Sequence, residues 1–326
     1  MKRLIALVAA SGMTLLGMVS AMGPAQAKQP GRNGQIAWFD RSDGRIFIAD
    51  PEGANEHELA LTYPGFGPVW SPDGGRLLVT VFTPDGVVRP LTVNPDGSSE
   101  TLLVVPEAPA NMDIDCRAWS PDGTQLLCIG QIFEGDHSMD GIYTIRASDG
   151  GDFTRLTTNP FPPTGDFGGG DLPGDYSPDG TRFVFVRAKP GADPNAQHQR
   201  GALFVENIDG TGLRQIVPYG LANSHDNAVA RWSPDGSVIL FASDHGSLFV
   251  VHPDGSGVRQ IPLKTGGGFS FAFAPGWSPD GTRIAFSLNT TGQVDIYTAR
   301  SNGSDVVNVT DTPDFEDLAD WGTHPP

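Results

Sequence analysis

Carboxylates crowd four variable segments of this 326-residue chain. Asp113 and Asp115 end the segment 106–115, Asp166, Asp171 and Asp175 lie in 158–175, Asp226 lies in 218–229, and Asp314, Glu316, Asp317 and Asp320 lie in 311–320. Arg117, His225 and Asn227 keep them company. Carboxylates converging from separate segments hold a hard cation such as calcium, which takes roughly six to eight oxygens. Spread around a rim, the same groups receive a basic peptide, and as a solvated face they only solubilise. The candidate binding residues are therefore Asp113, Asp115, Asp171, Asp175, His225, Asp226, Glu316, Asp317 and Asp320. No catalytic residue is assigned. Calcium is the one cofactor considered.

Other chemistries find less support. His57, His137, His198, His225, His245, His252 and His324 are scattered, without the close pairing of a zinc site. Ser224-His225-Asp226 is a run, whereas the members of a catalytic triad converge from separate segments. No Gly-x-Ser-x-Gly elbow occurs. The glycine runs 168–170 and 266–268 lack the Lys-Ser/Thr of a phosphate loop and read as flexible connections.

The elements that position these segments come from a repeat. Ser-Pro-Asp-Gly occurs five times, each time after an aromatic residue: Trp70, Trp119, Tyr176, Trp232 and Trp277. An apolar run follows each copy, as in WSPDGTRIAF. Repeats of about 40–50 residues carrying strands rather than helices describe propeller blades. Glycine (42) and proline (28) are frequent, in keeping with an all-β chain punctuated by turns. Twelve aspartates directly precede glycine, so turn chemistry accounts for about a third of the acidic residues.

Each repeat reads as two hairpins, the first closed by Ser-Pro-Asp-Gly. The second begins at Ile46, Leu91, Ile142, Leu203, Leu248 and Ile296, which makes six, against five complete first hairpins. The sixth is split between the chain ends: Trp321 stands where the motif aromatic belongs, and NGQIAWF from Asn33 matches the strand that should follow. This predicts a six-bladed propeller of four-stranded antiparallel blades. A C-terminal strand closes the first blade, which leaves no free sheet edge. The innermost strand of each blade should end in the aromatic. The Ser-Pro-Asp-Gly turns then lie on one face and the acidic lead-in loops on the other, around the channel mouth.

These repeats resemble the TolB-like family of WD-repeat-like propellers, with its W-S-P-D-G-x-x-I-A-F signature. The resemblance covers about Asn33 to Trp321 and implies an envelope or extracellular protein as partner. An α/β domain ahead of the propeller, which TolB itself carries and the repeat family does not require, is not expected between Lys28 and Asn33.

The motif aromatics Trp70, Trp119, Tyr176, Trp232, Trp277 and Trp321 share one blade position, which implies packing between blades. The two cysteines flank one motif turn. If Pro121-Asp122-Gly123 is a three-residue loop, Ser120 pairs with Thr124. Counting outward, Trp119 then faces Gln125, Ala118 faces Leu126, Arg117 faces Leu127 and Cys116 faces Cys128. A Cys116–Cys128 disulfide is expected in an exported chain.

Export is expected from residues 1–27, which combine Lys2 and Arg3, an apolar stretch from Leu4 and the small-x-small site Ala25-Gln26-Ala27. Residues 28–326 would form the propeller. The precursor charge is −17, and removing Lys2 and Arg3 leaves 19 basic against 38 acidic residues, a charge of −19. That balance repels nucleic acid. The leading expectation is a secreted or periplasmic monomer, non-enzymatic, that binds a protein. The alternatives are a divalent-cation-dependent hydrolase, lactonase or lyase with its site at the channel mouth, and a binder of carbohydrate or peptide fragments.

Overall fold

In a computed structural model of the chain, the residues described are 31–133, 135–158, 170–189, 200–223, 229–265, 270–290 and 292–325. Each Ser-Pro-Asp-Gly segment builds the same turn. In the third strand pair the Ser120 hydroxyl donates to Asp122 Oδ1 at 2.6 Å, and Asp122 accepts the Thr124 backbone N–H at 3.0 Å. Ser120 Oγ in turn accepts the Gln125 N–H at 2.9 Å. Gly123 sits at φ 71°, in the left-handed region that a Cβ disfavours.

These side-chain bonds open the turn by one residue relative to a three-residue loop. The Ser120 N–H donates to the Gln125 carbonyl, Trp119 faces Leu126 and Ala118 faces Leu127. A β-bulge at Arg117 then shifts the register back, so that Cys116 stands opposite Cys128. The two departures cancel at the cysteines, which are joined as a disulfide.

The turns order six four-stranded sheets. The innermost strands are Gly65–Trp70, Asp113–Trp119, Asp171–Tyr176, Ala230–Trp232, Phe271–Trp277 and Glu316–Thr323. Each contacts the next around the ring. The chain is a six-bladed propeller, closed where Glu316–Thr323 pairs antiparallel with Asn33–Asp40. That seam places Trp321 opposite Ile36 and Glu316 opposite Asp40. It is sealed by the His324 N–H on the Arg32 carbonyl at 2.8 Å. We number this closing sheet blade 1 and the others 2 to 6 in chain order.

The core is divided among neighbours. One apolar cluster joins Ala37, Ile46 and Ile48 of blade 1 to Leu77, Val79 and Leu91 of blade 2, and another joins Ile36 and Trp38 of blade 1 to Ala285 and Ile296 of blade 6. A blade buried on both faces needs strands that are apolar throughout rather than alternating. The runs after each motif, such as Phe183-Val184-Phe185-Val186, meet this demand and are buried. Among the described residues no helix is long and apolar enough to cross a membrane.

Candidate binding face

Strand direction assigns the two faces. Innermost strands run toward the Ser-Pro-Asp-Gly turns, so their first residues, and the loops leaving each second strand, share the opposite face, the mouth. On the turn face the channel ends in a cavity of about 110 Å³ lined by the motif aromatics and prolines. The aromatics there bind blade to blade. Trp119 Nε1 donates to the Val69 carbonyl and Trp277 Nε1 to the Arg231 carbonyl, both at 3.2 Å. A Cβ at Gly322 would meet the Trp70 indole at 2.6 Å, so glycine is what lets that ring lie against blade 1. The Arg182 guanidinium of blade 4 stacks 5.0 Å from the Trp232 ring centre.

Each of the seven candidate carboxylates among the described residues is bonded to another group of the chain. Asp113 accepts the Val88 N–H at 2.8 Å, and burial pushes its carboxyl above the usual carboxylate range. Asp115 accepts the Thr80 hydroxyl at 2.7 Å and pairs with Arg117 at 2.9 Å. Both therefore fasten blade 3 to blade 2. Asp171, fully buried, takes a two-pronged grip from Arg187 at 2.6 Å for each bond. Asp175 and Asp320 each precede a motif aromatic, and each accepts the backbone N–H of the aromatic in the next blade. The distances are 3.1 Å to Trp232 and 2.8 Å to Trp70.

The seam holds the other two. Asp317 is fully buried, accepts from Arg41 Nε at 3.0 Å and from the Ser287 hydroxyl at 3.2 Å, and is pushed up by burial against the pull of Arg41. Glu316 accepts the hydroxyls of Thr310 and Thr312, and burial pushes it up to about 7. Among the described residues no group of three or more His, Cys, Asp or Glu side chains is placed to hold a metal ion. His225, Asp226, Asn227 and Asp166 lie outside the described residues, as do His198, the glycine runs except Gly170, and residues 1–27.

The mouth also carries two groups of phenylalanines, which the sequence reading did not single out. Phe271 and Phe273 of blade 6 lie 5.9 Å apart, and Phe273 lies 6.5 Å from Phe315 in the loop leading into blade 1. Phe39 of blade 1 lies 6.2 Å from Phe66 of blade 2, and Phe66 lies 5.4 Å from Phe82. Arg41, two residues after Phe39, stacks 5.7 Å from the Phe315 ring centre. Phe82 is 55% exposed and Phe315 38%. Phe133, 56% exposed, belongs to blade 3 and stands outside this row.

No protein-family model matches the sequence, and no curated protein matches it. Solved structures do. TolB from Acinetobacter baumannii aligns with 14% identity over 89% of this chain and 66% of its own, at a TM-score of 0.64. This chain thus spans just under two thirds of that TolB. A nidogen/laminin complex structure aligns with 10% identity over 88% of this chain and 98% of the other, at 0.61. An oligogalacturonate lyase in complex with manganese aligns with 15% identity over 85% and 74%, at 0.50. Identities this low carry the fold and leave function to the site. The chain is a six-bladed β-propeller with the fold of the TolB structures.

Proposed function

We propose that the protein is an exported binding module that engages a protein partner through its mouth face and catalyses no reaction. The observation that carries this reading is the phenylalanine row, exposed at Phe82 and Phe315, on a face whose described candidate carboxylates are already bonded within the chain. Aromatic side chains and arginine on a rigid scaffold are the usual anchors of protein interfaces. The nidogen/laminin complex shows that a propeller of this shape occurs in a protein assembly. Cleavage near Ala27 would release the propeller to the periplasm or the medium, and the TolB fold favours the former. The cation-dependent enzyme has the manganese-bound lyase on its side. It would need oxygen donors that the described carboxylates have committed elsewhere.

Site-specific photocross-linking tests the reading. A photoreactive residue at Asp85 or Gly44, in mouth loops, should capture a discrete protein from the exported fraction. The same residue at Asp209 or Asp254, in turns of the opposite face, should not. Equal capture from both faces, or none from the mouth, overturns it. A saturable calcium isotherm that disappears in Asp317→Asn would favour the enzyme instead.

A further inference from the structure

The phenylalanine row is not symmetric around the mouth. It belongs to blades 6, 1 and 2, and a second observation marks the same three blades. Gly67, Ala274 and Leu318 each stand three residues before their motif aromatic, and each has a left-handed backbone, at φ 63°, 46° and 55°. The Cβ position of Gly67 lies 3.9 Å from the Leu318 side chain. Ala and Leu adopt this conformation at a cost that the surrounding structure must hold, and such residues gather where ligands are gripped.

The charge of the sector is also one-sided. Asp40, Asp43 and Asp314 lie close enough that the last two raise the proton affinity of the first, while burial is the larger cause. Asp311, three residues before Asp314 in the chain, is exposed. The neighbouring cations are already engaged: Arg41 with Asp317, Arg45 with Asp43 and Glu58, and Arg89 of blade 2 with the carbonyls of Val88, Ala110 and Met112. A surface of phenylalanine bordered by surplus carboxylate is complementary to apolar side chains bordered by lysine or arginine. A second copy of this chain, with a net charge of −17 before any cleavage, presents the wrong sign.

We propose that the sector formed by blades 6, 1 and 2 docks a segment of a partner protein that carries an apolar anchor flanked by basic residues. Phe82 and Phe315 take up the anchor, and Asp311 and Asp314 take up the flanking charge. The inference rests on the binding-module reading and names the part of the mouth and the partner chemistry within it.

The test uses the whole propeller and two labelled synthetic peptides with identical Leu/Phe spacing, one flanked by lysine and one by glutamate, read by fluorescence anisotropy. The lysine peptide should bind, the glutamate peptide at least about tenfold more weakly. The double variant Phe82→Ser/Phe315→Ser should weaken the lysine peptide about tenfold, and Phe133→Ser should leave it unchanged. Asp311→Asn/Asp314→Asn should flatten the salt dependence. All these side chains are at least partly exposed, so melting curves should stay close to the parent's, which separates lost binding from lost fold. No binding of the lysine peptide, binding indifferent to peptide charge, or a double variant that binds like the parent overturns the inference. So does a dimer in sedimentation that the double variant abolishes. Mouth cross-linking that persists in the double variant would overturn the sector while leaving the module reading intact.

Discussion

The two halves of the mouth are built from different side chains. In blades 3, 4 and 5 arginines fill the space: Arg117 pairs with Asp115, and Arg187 with Asp171. Arg231 reaches from blade 5 to the carbonyls of Gly174 in blade 4 at 2.7 Å and Arg117 in blade 3 at 2.9 Å. In blades 6, 1 and 2 phenylalanines line the mouth, the backbone turns left-handed three residues before the motif aromatic, and Asp43 and Asp314 lie close to Asp40. A closed ring needs all its blades for stability. The arginine half is bonded to itself, and the phenylalanine half leaves Phe82 and Phe315 exposed.

The largest expected contrast comes from one carboxylate in each half. Asp171→Asn strands a nearly buried Arg187 and should cost about 3–5 kcal/mol in urea unfolding. Asp317→Asn should cost no more than about 2 kcal/mol, because Arg41 is 44% exposed and returns to water. Equal losses would break the comparison.

The seam should respond to pH with the opposite sign to the turns. Glu316, pushed up to about 7 by burial, binds its proton more tightly when folded. Its contribution is full below the unfolded carboxyl value and is lost as pH rises toward 7, by at most about 3 kcal/mol. The Ser71 hydroxyl and the Gly75 N–H hold Asp73 below the usual range, and Asp235 is held likewise by Ser233 and Ser237. Their contributions are full above that range and fade as pH falls. Melting temperature should therefore decline between pH 5 and 8, by the principles of proton linkage, and Glu316→Gln should flatten that limb. A limb unchanged by the substitution would remove Glu316 as its source.

Blade 3 adds a covalent tie, closing a loop of sequence separation 12. Reduction should cost about 2–3 kcal/mol, and alkylation without reductant should label no thiol in the intact mass. Two labelled thiols would refute the bond. The smallest effect belongs to the other half: Phe82→Ser should change stability by less than about 0.5 kcal/mol. A larger loss would mean that the row serves folding.

Much of the fold was legible because one turn chemistry is written five times and its sixth copy is split between the ends. The ladder inside each hairpin was less so. Turn length depends on which group accepts the Gln125 and Thr124 N–H, and the bulge at Arg117 leaves no mark in residue type. The mouth was legible only in part. Lead-in carboxylates stand out as charges, yet Asp175 and Asp320 spend theirs on the backbone of a neighbouring aromatic, a partner 57 and 250 residues away. The phenylalanine row did leave a trace. Six or four residues before the motif aromatic stand Phe271, Phe273, Phe66 and Phe315, where blade 3 has Asp113 and Asp115. Aligning the repeats on their aromatics would have shown the substitution of ring for carboxylate.

The seam has a geometric consequence. The Gly31 N–H is bonded to the Pro279 carbonyl, and the carbonyl of Thr323 lies against Gly74, so both described ends of the chain leave among the turns. Any tether attached at either end, whether an anchor, a tag or a fused domain, pulls from the same side. The mouth face then points away from the attachment whichever end is held.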